Sequence, residues 1–559
     1  MGLYKQYFRL TRYAKNQFIG ISNSQKKSGQ DDVPLQMLVS QHFSHSRLAV
    51  ILVGLFTLAI GIILSSIPWL DYIILKNLRL SDGSLSYQYW QKPGVIRLTK
   101  VYIFNVTNPD TFLTQGEKPR LQEVGPFVYR EEMEKVNIQF HDNGTVSFQH
   151  KKILQFVPEL SVNKNQKITV PNIPLLTLST MSNNLGYFVQ KGISVMLSIG
   201  SYKPFISITA DELVFGYDDK LVSLAHQFYP KYKRPAEKMG LLINRNGTLP
   251  EVHNIYTGST GMHEFGIIDK LNGKDSLTYW EDAPCNDLRS SEGSFFPPRH
   301  YTNEDLVYLY DKDICRTLPL KYRKAVSKHG IAAGLYTPPE NIFESVEKNS
   351  DNKCYCPGNE FCPPKGLQNI SPCQFDSPVY ISFPHFLDAD SSLSEPFEGL
   401  TPNRDKHESY FKIQPKLGVP LEGQIRVQLN LKVDQAPYVT LVKDFPSIIF
   451  PIMWLEEGIE DLTPSIRRWV YLATTFADVA CPLMTYGFIF TGTCIILGVF
   501  VNAYKSLVFT KETIEIGMKK LQRRGSAYLY SSSNRFINRR DTYTLLKVNE
   551  DGDEEVIGM

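Results

Sequence analysis

Residues 48–67 read LAVILVGLFTLAIGIILSSI, a run of about twenty residues without a charged side chain. A helix of this length crosses the roughly 30 Å hydrocarbon core of a bilayer. A second uncharged run near the other end, residues 482–504, reads PLMTYGFIFTGTCIILGVFVNAY. One such run could be a buried helix of a soluble protein, but two at opposite ends predict a membrane protein. We place its transmembrane helices at residues 48–70 and 479–504.

Basic residues flank both runs on the sides that face the chain termini. The tail before Leu48 has seven Lys and Arg residues against two Asp, and Lys505 begins a second basic stretch. Basic flanks favour the cytoplasmic side, so we predict cytoplasmic tails at residues 1–47 and 505–559. Residues 71–478 then form one extracellular or luminal domain. The first run acts as an uncleaved signal anchor, because a long basic tail precedes it.

All four Asn-x-Ser/Thr sequons lie between the two runs, which agrees with this topology. The sequon asparagines are Asn105, Asn143, Asn246 and Asn369. The whole chain has a formal net charge of +3, but the tails carry the positive excess. The domain between the runs is therefore not a nucleic-acid binder, whereas the basic tails can contact anionic lipid at the membrane.

Six of the eight cysteines cluster in this domain, in a compartment that is oxidising. They are Cys285, Cys315, Cys354, Cys356, Cys362 and Cys373. Disulfides are the favoured interpretation. Zinc is the alternative, but the cluster has no CxxC pair, and Cys354-x-Cys356 is not a usual zinc-ligand spacing. Fifteen pairings are compatible with six cysteines. We predict no metal site and no cofactor.

Alternation of apolar and polar residues predicts strands over much of the domain. The clearest strand is QIRVQLNLKVD at residues 424–434, for which we expect one buried and one solvated face. Residues 138–148 predict a β-hairpin with an Asn-Gly turn at Asn143, and Asn246 begins a similar turn. Residues 174–197 instead space their apolar side chains as a helix does. The apolar stripe of that helix is either core or a surface for lipid or a partner.

Several short motifs follow one another along the domain. They are VGPFVYRE at 124–131, NGKD at 272–275, YWE at 279–281, FFPP at 295–298, DICR at 313–316, CYC at 354–356 and PVYISFPHF at 378–386. In these motifs and in its two apolar runs, the chain resembles the class B scavenger receptors. That family includes the lysosomal integral membrane protein and the insect sensory neuron membrane proteins. The likeness extends from the first run to the second.

The resemblance implies an α+β fold. The ectodomain would be β-rich and barrel-like, with an apical helical bundle and an apolar tunnel, anchored by N- and C-terminal transmembrane helices. The family's ligand site at the bundle includes a lysine, for which Lys203 is the best match; a cation there could hold a carboxylate or an anionic head group. The resemblance also implies three disulfides: Cys285–Cys354, Cys315–Cys373 and Cys356–Cys362.

The chain offers little support for catalysis, because it contains no GxSxG, HExxH or GxxxxGK motif. The resemblance implies a receptor that binds lipids or lipoprotein-like particles, transfers hydrophobic cargo to the membrane and takes part in endocytic uptake. The sequence does not select among fatty acid, sterol, phospholipid and carotenoid. The alternative function is a lysosomal or endosomal trafficking or adhesion receptor that escorts a protein partner.

A candidate sorting signal, DTYTLL, lies in the C-terminal tail at residues 541–546. It resembles an acidic dileucine signal, and its last four residues also fit a tyrosine-based one. The residues concerned are Asp541, Tyr543, Leu545 and Leu546. We therefore predict clathrin adaptors as partners, and cycling of the protein between the cell membrane and endosomes or lysosomes.

Overall fold

The chain divides into two units, which are described separately: residues 68–481, and the end regions 1–67 and 482–559 together. The computed structural model describes residues 45–228, 236–280, 284–300, 302, 304–356, 362–508, 515–516, 518–523, 545–548 and 554–557. The predicted N-terminal tail therefore lies almost wholly outside the described residues.

Seventeen strands occur in the described residues. Strands β1 to β17 comprise, in chain order, Val95–Val106, Leu121–Phe140, Thr145–Phe156, Lys167–Pro171, Phe205–Thr209, Gly247–Tyr256, Ile268–Leu271, Leu306–Asp311, Arg316–Lys328, Ile331–Thr337, Gln368–Asn369, Val379–Ser382, Tyr410–Gln414, Val419–Val433, Ile448–Leu462, Leu545–Val548 and Glu554–Ile557. Thirteen of them form one antiparallel sheet, in the order β7-β6-β3-β2-β1-β15-β14-β13-β10-β9-β8, with β12 paired to β14 and β11 to β12. The pairs β4–β5 and β16–β17 form two-stranded sheets.

A short extended segment, Ser290 and Ser291, connects the two edge strands of this sheet, β7 and β8. The backbone N–H of Ile268 donates to the carbonyl of Ser290 at 2.9 Å. The N–H of Ser291 donates to Tyr308 at 2.8 Å, and its carbonyl accepts from Tyr310 at 2.9 Å. The large sheet thus closes on itself through one bridging segment, which pairs both edges. The predicted β-rich, barrel-like α+β fold is confirmed.

Twelve α-helices are described. Helices α1 to α12 comprise His45–Ser66, Trp69–Leu78, Leu85–Gln91, Pro109–Gln115, Ile173–Ser182, Tyr187–Ile199, Ala210–Phe215, Lys220–Phe228, Ser391–Ser394, Arg404–His407, Pro464–Tyr471 and Ala477–Val508. Two helical segments, His45–Ser66 with 22 residues and Pro464–Ser506 with 43 residues, are long and apolar enough to cross a membrane. They contain the two apolar runs except for Ile67, and side chains that are apolar all round suit a helix in lipid.

Glycines allow α1 and α12 to approach closely within the terminal unit. A Cβ atom added to Gly61 would lie 2.6 Å from the side chain of Ile489. A Cβ added to Gly492 would lie 2.6 Å from the backbone nitrogen of Leu58. Small residues at a crossing let the backbones of membrane helices come together. The packing of the two helices therefore depends on positions that have no side chain.

The predicted hairpin at Asn143 is confirmed. Strands β2 and β3 pair antiparallel up to Phe140, and Gly144 closes the turn with a φ of 80°, which suits glycine. Of the hairpin predicted around Asn246, only the strand after the turn is present. Strand β6 follows it, but residues 243–245 form a 3₁₀ turn where the hairpin would need a strand.

The strand predicted at residues 424–434 is present, but the face that was predicted to be solvated is mostly buried. Four of its six polar side chains are at most 9% exposed, namely Gln424, Arg426, Gln428 and Asn430, whereas Lys432 and Asp434 at its end are partly exposed. The Gln428 carboxamide accepts the backbone N–H of His385 at 2.7 Å, and Asn430 donates to the Ser382 hydroxyl at 3.0 Å. The expected solvated face is covered, because the chain between β12 and β13 folds over it and supplies the hydrogen bonds that buried polar groups need.

The helix predicted at residues 174–197 is two helices, α5 and α6. Asn172 caps α5 by accepting the N–H of Leu175 at 3.2 Å, and Pro174 lies in its first turn, where proline is tolerated. Residues 183–186 separate the two helices, and Gly186 precedes α6. Apolar periodicity alone did not show this break, because leucines continue across it.

Two large apolar clusters fill the unit of residues 68–481. The first includes Val101, Phe127 and Phe450 and packs against α5, α6 and α7. The second includes Phe148 and Leu462 and packs against α2, α3 and α11. Strands β1, β3 and β15 contribute to both clusters, so the residues midway along these strands lie between two apolar regions.

Candidate functional site

Helix α6 presents a row of apolar side chains to solvent. Phe188, Val195 and Ile199 are 87%, 61% and 81% exposed, and their spacing places them on one face of the helix. The opposite face of α6 is buried. In α5, by contrast, Leu175 and Leu176 belong to the core. The stripe for which the sequence left two interpretations open is thus core in α5 and surface in α6. We call Phe188, Val195 and Ile199 the α6 apolar row.

The stretch of chain that contains this row carries positive charge. No Asp or Glu occurs between Lys167 and Asp211, whereas Lys191 and Lys203 lie in this stretch. Lys203, the predicted ligand lysine, is exposed in the loop between α6 and β5. Its backbone carbonyl accepts a hydrogen bond from the Asn172 side chain at 3.1 Å, which holds the loop beside the start of α5. Lys203 therefore follows the α6 apolar row closely and leaves its ammonium group accessible.

An apolar cavity of about 60 Å³ lies at the second apolar cluster. Leu78, Trp90, Val95, Ile459 and Trp469 are among the residues of its wall. Leu78 lies on helix α2, which follows the first apolar span in sequence. Trp469 lies on α11, which begins the helical segment that contains the second apolar span. Sites for drug-sized ligands measure about 300–1,000 Å³, so a lipid chain needs the wall to repack. The chemistry of the wall nevertheless suits a hydrocarbon.

A layer of buried charged residues lies between the two apolar clusters. Arg97 on β1 and Lys152 on β3 both face Glu131 on β2: Arg97 Nε and Lys152 Nζ lie 3.2 and 3.1 Å from Glu131 Oε1. The Glu131 side chain is 1% exposed. Sequence reasoning missed these residues, because on a single strand a charged residue looks like part of a solvated face.

Glu457 on β15 extends this charge layer. Its carboxylate lies 3.1 Å from Lys152 Nζ and 2.5 Å from Arg245 Nη1, and Arg245 also pairs with Asp313. Burial raises the pKa of Glu457, but the surrounding cations outweigh burial and hold the pKa well below its ordinary value. Glu457 is therefore ionised at neutral pH, and the buried charges compensate one another.

Lys135 marks the edge of the charge layer toward the second cluster. It is completely buried, and its ammonium group donates to the Ser294 hydroxyl at 2.7 Å and the Trp90 carbonyl at 3.1 Å. Burial lowers the pKa of Lys135, although Glu292, 3.6 Å away, acts in the opposite direction. Because paired ions are costly to separate in a low-dielectric interior, the layer is a polar barrier between two apolar regions.

The structure contains three disulfides, the same pairs that the resemblance implies: Cys285–Cys354, Cys315–Cys373 and Cys356–Cys362. The first joins residues that are 69 positions apart in the chain. Trp280 packs in this region and donates its indole N–H to the carbonyl of Cys315 at 2.8 Å. The first two bonds join residues that precede β9 to the stretch after β10, which has little regular structure of its own.

The four sequon asparagines differ in their surroundings. Asn143 and Asn246 are exposed, at the β2–β3 turn and just before β6. Asn105 lies in β1 and uses both its amide and its carbonyl oxygen in hydrogen bonds. Asn369 is only 3% exposed. A bulky glycan needs an exposed amide, so the burial of Asn369 argues against glycosylation there.

The predicted sorting signal lies mostly outside the described residues, as Asp541 and Tyr543 do. Leu545 and Leu546 begin β16, which pairs antiparallel with β17 in the C-terminal tail. The role of these four residues stays a prediction.

These features define a class: a membrane protein whose two spanning helices bracket a large, disulfide-linked, barrel-like domain. A model of the CD36 family matches residues 51–503. Scavenger receptor class B member 1 of Bos taurus is 32% identical over 386 residues, which are 69% of this chain and 75% of that protein. Lysosome membrane protein 2 of Homo sapiens is 33% identical over 426 residues, 75% of this chain and 87% of that protein. The chain belongs to the CD36 family.

Proposed function

We propose that this chain is a class B scavenger-type receptor that binds lipids or lipoprotein-like particles and transfers hydrophobic cargo to the membrane, with endocytic uptake. The α6 apolar row carries this proposal. Large apolar side chains placed side by side in water are uncommon on soluble surfaces and mark interaction sites. Phe188 and Ile199 are 87% and 81% exposed, so most of their apolar area is available for burial against a partner.

The charge around the row supports a lipid surface as its partner. A helix whose apolar face is accompanied by cations, without acidic residues, suits the head-group region of a phospholipid layer. Lys191 and Lys203 supply the cations, and each can attract phosphate or carboxylate groups. In this proposal Lys203 acts as a general anion contact beside the row.

Transfer needs an apolar path after capture. The first apolar cluster packs against α6, and the cavity in the second cluster is lined by helices that are continuous in sequence with both spans. The buried charge layer separates these two regions, so we propose that it limits the passage of cargo. The topology of the proposal has both tails cytoplasmic and residues 71–478 outside or in the lumen. The residues that carry it are binding residues, in keeping with a receptor and not an enzyme.

Vesicle binding by the full chain in detergent or nanodiscs tests this proposal. Burial of a Phe or Ile side chain contributes about 1.5–3 kcal/mol, so Phe188→Ser with Ile199→Ser should weaken binding to phospholipid vesicles at least tenfold. Leu160→Ser is the matched control, because Leu160 is 54% exposed on a different part of the domain. Equal binding by wild type and the double variant would contradict the role of the row.

The alternative is a trafficking receptor that escorts a protein partner, and the 33% identity to lysosome membrane protein 2 favours it as the second candidate. The same apolar row could then contact a protein. A wild-type chain that binds no vesicles would favour this function. The variant Leu545→Ala with Leu546→Ala tests the sorting part: an unchanged cellular distribution would exclude a dileucine signal.

A further inference from the structure

Two histidines and one glutamate meet beside β2 and β15, outside the α6 apolar row, the cavity and the charge layer. The Glu123 carboxylate accepts hydrogen bonds from His385 Nε2 at 2.6 Å and from the Trp454 indole N–H at 2.7 Å. The rings of His385 and His407 are stacked, with centres 4.5 Å apart and planes 5° from parallel. Each histidine is 3% exposed.

One loop contacts both histidines through the other ring nitrogen. The backbone N–H of Thr401 donates to His385 Nδ1 at 3.0 Å, and that of Asn403 donates to His407 Nδ1 at 3.0 Å. A ring nitrogen that accepts a hydrogen bond carries no proton, so each neutral ring carries its proton on Nε2. Both histidines are thus fixed in the same tautomer by the backbone of residues 401–403.

This tautomer does not suit a metal, although the ligand atoms of the three side chains lie within 4.8 Å of one another. A histidine that binds metal through Nε2 carries its proton on Nδ1 and donates it to an acceptor. Here both Nδ1 atoms face N–H donors. The cluster is therefore arranged for hydrogen bonding and not for a metal ion.

We propose that His385 and His407 form an acid-sensitive latch on residues 401–407, which include helix α10. Protonation of the His407 ring places a new N–H on Nδ1, directly against the N–H of Asn403. A hydrogen bond then becomes a contact between two donors. Acid therefore releases the 401–407 segment. His407 packs on the Trp454 ring, with centres 5.4 Å apart, so release uncovers Trp454.

Charged neighbours act on the latch in both directions. Glu123 on β2 favours the charged form of His407, whereas His385, Arg426 on β14 and Lys406 on α10 oppose it. Burial is the largest influence, and the balance lowers the pKa of His407 from 6.5 to about 4. The closed segment is therefore fully stable above pH 6.5 and loses stability as the pH falls from 6.5 toward 4. Each pH unit in this range raises the ratio of released to closed segment by up to about tenfold.

Contacts at the ends of the segment confine the movement. Arg426 Nη1 donates to the carbonyl of Glu408 at 2.7 Å, just after the segment, and at 3.3 Å to the carbonyl of Asp405, a contact within the segment that release breaks. Arg404 pairs with Asp388 at 2.7 Å, but both side chains are at least one-third exposed, and pairs of this kind contribute little. We therefore expect a local release and not the unfolding of the neighbouring strands.

Hydrogen–deuterium exchange of the full chain in detergent, at pH 7 and pH 5, tests the latch. Rates are corrected with a synthetic peptide of residues 398–410, and strands β14 and β15 serve as the internal reference. In wild type, the corrected exchange of the 401–407 segment should rise about thirtyfold at pH 5, which is 1.5 units below the free histidine pKa. In the variant His385→Asn with His407→Asn, the exchange should be the same at both pH values, because the Asn oxygen accepts the same N–H and does not titrate.

Either of two results overturns the proposal. The first is wild-type protection of the 401–407 segment that is equal at pH 7 and pH 5; this comparison decides the question even if the double variant does not fold. The second is a double variant that loses protection in acid as the wild type does, since the release would then come from groups other than the two histidines.

Discussion

Replacement of Glu457 by Gln tests whether the buried charges compensate one another as described. The change keeps the size of the side chain and removes one negative charge that lies 3.1 Å from Lys152 Nζ and 2.5 Å from Arg245 Nη1. Two cations, held in place by strands and by other partners, then remain in the interior with less compensation. Removal of one partner of a buried ion pair costs about 3–5 kcal/mol, and the 14% exposure of the Glu457 side chain is too small for solvent to replace it.

This loss corresponds to a measurable change in melting temperature. Unfolding entropy is about 2.1 cal/mol/K per residue, and the larger unit comprises residues 68–481. A loss of 3–5 kcal/mol therefore lowers the Tm by about 3–6 °C. Scanning fluorimetry of the full chain in detergent, at a single scan rate, measures this shift. Glu132→Gln is the matched control, because Glu132 is the exposed neighbour of Glu131 on β2; its Tm should change by less than about 1 °C.

The pH dependence identifies the charge itself as the cause. Neighbouring cations lower the pKa of Glu457 well below 4.5, against the opposing effect of burial. Its stabilisation is thus fully present above pH 4.5 and is lost as the pH falls through the lowered pKa. The Tm difference between wild type and Glu457→Gln should stay constant from about pH 8 to 5 and shrink in stronger acid. If Glu457→Gln had the same Tm as the Glu132→Gln control at neutral pH, the claim that the buried charges compensate one another would be refuted.

Three further predictions concern glycans, disulfides and the spans. Glycopeptide mass spectrometry should find glycans at Asn143 and Asn246 and none at Asn369; occupancy of Asn369 would show that its strand is more open than described. Cys354→Ser opens the loop between residues 69 positions apart and should lower the free energy of unfolding by about 4 kcal/mol in denaturant titrations; a loss under about 1 kcal/mol would contradict the constraint. Gly492→Leu should separate α1 from α12, because a side chain there meets the backbone of α1; unchanged cysteine cross-linking between the helices would contradict this packing.

Local patterns in the sequence predict the elements whose cause is local. The runs at residues 48–67 and 482–504 became helices because every side chain in them is compatible with lipid. The hairpin at Asn143 formed because Asn-Gly fits the turn between two alternating segments. The motifs that resemble the class B scavenger receptors also identified the family correctly.

Patterns failed where a distant segment changes the surroundings of a residue. Polar residues of β14 looked solvated, yet the chain between β12 and β13 covers them. Phe188 and Ile199 have the spacing of core residues, but no other described segment buries them. In both cases the period of the side chains was right, and the burial depended on contacts that periodicity does not contain.

The charge layer and the histidine latch could not be read from the sequence for the same reason. Glu131 and Glu457 are more than three hundred positions apart, and both meet Lys152 only because β2, β3, β1 and β15 lie side by side in the sheet. Likewise, Glu123 and His407 are close only because the segment that contains His407 packs beside β2. The motif PVYISFPHF ends with His385 and Phe386, but the sequence alone does not show the hydrogen bonds that fix the tautomer of His385.

Native mass spectrometry with lipid extraction tests the central claim, that the domain holds lipid, most directly. The purified full chain and two tryptophan variants would be incubated with a fatty acid, a sterol, a phospholipid and a carotenoid in turn. Val95 lines the cavity, whereas the next residue, Ile96, is 38% exposed. We predict that wild type and Ile96→Trp retain bound lipid and that Val95→Trp loses it. Three empty proteins, or equal lipid in all three, would contradict the account.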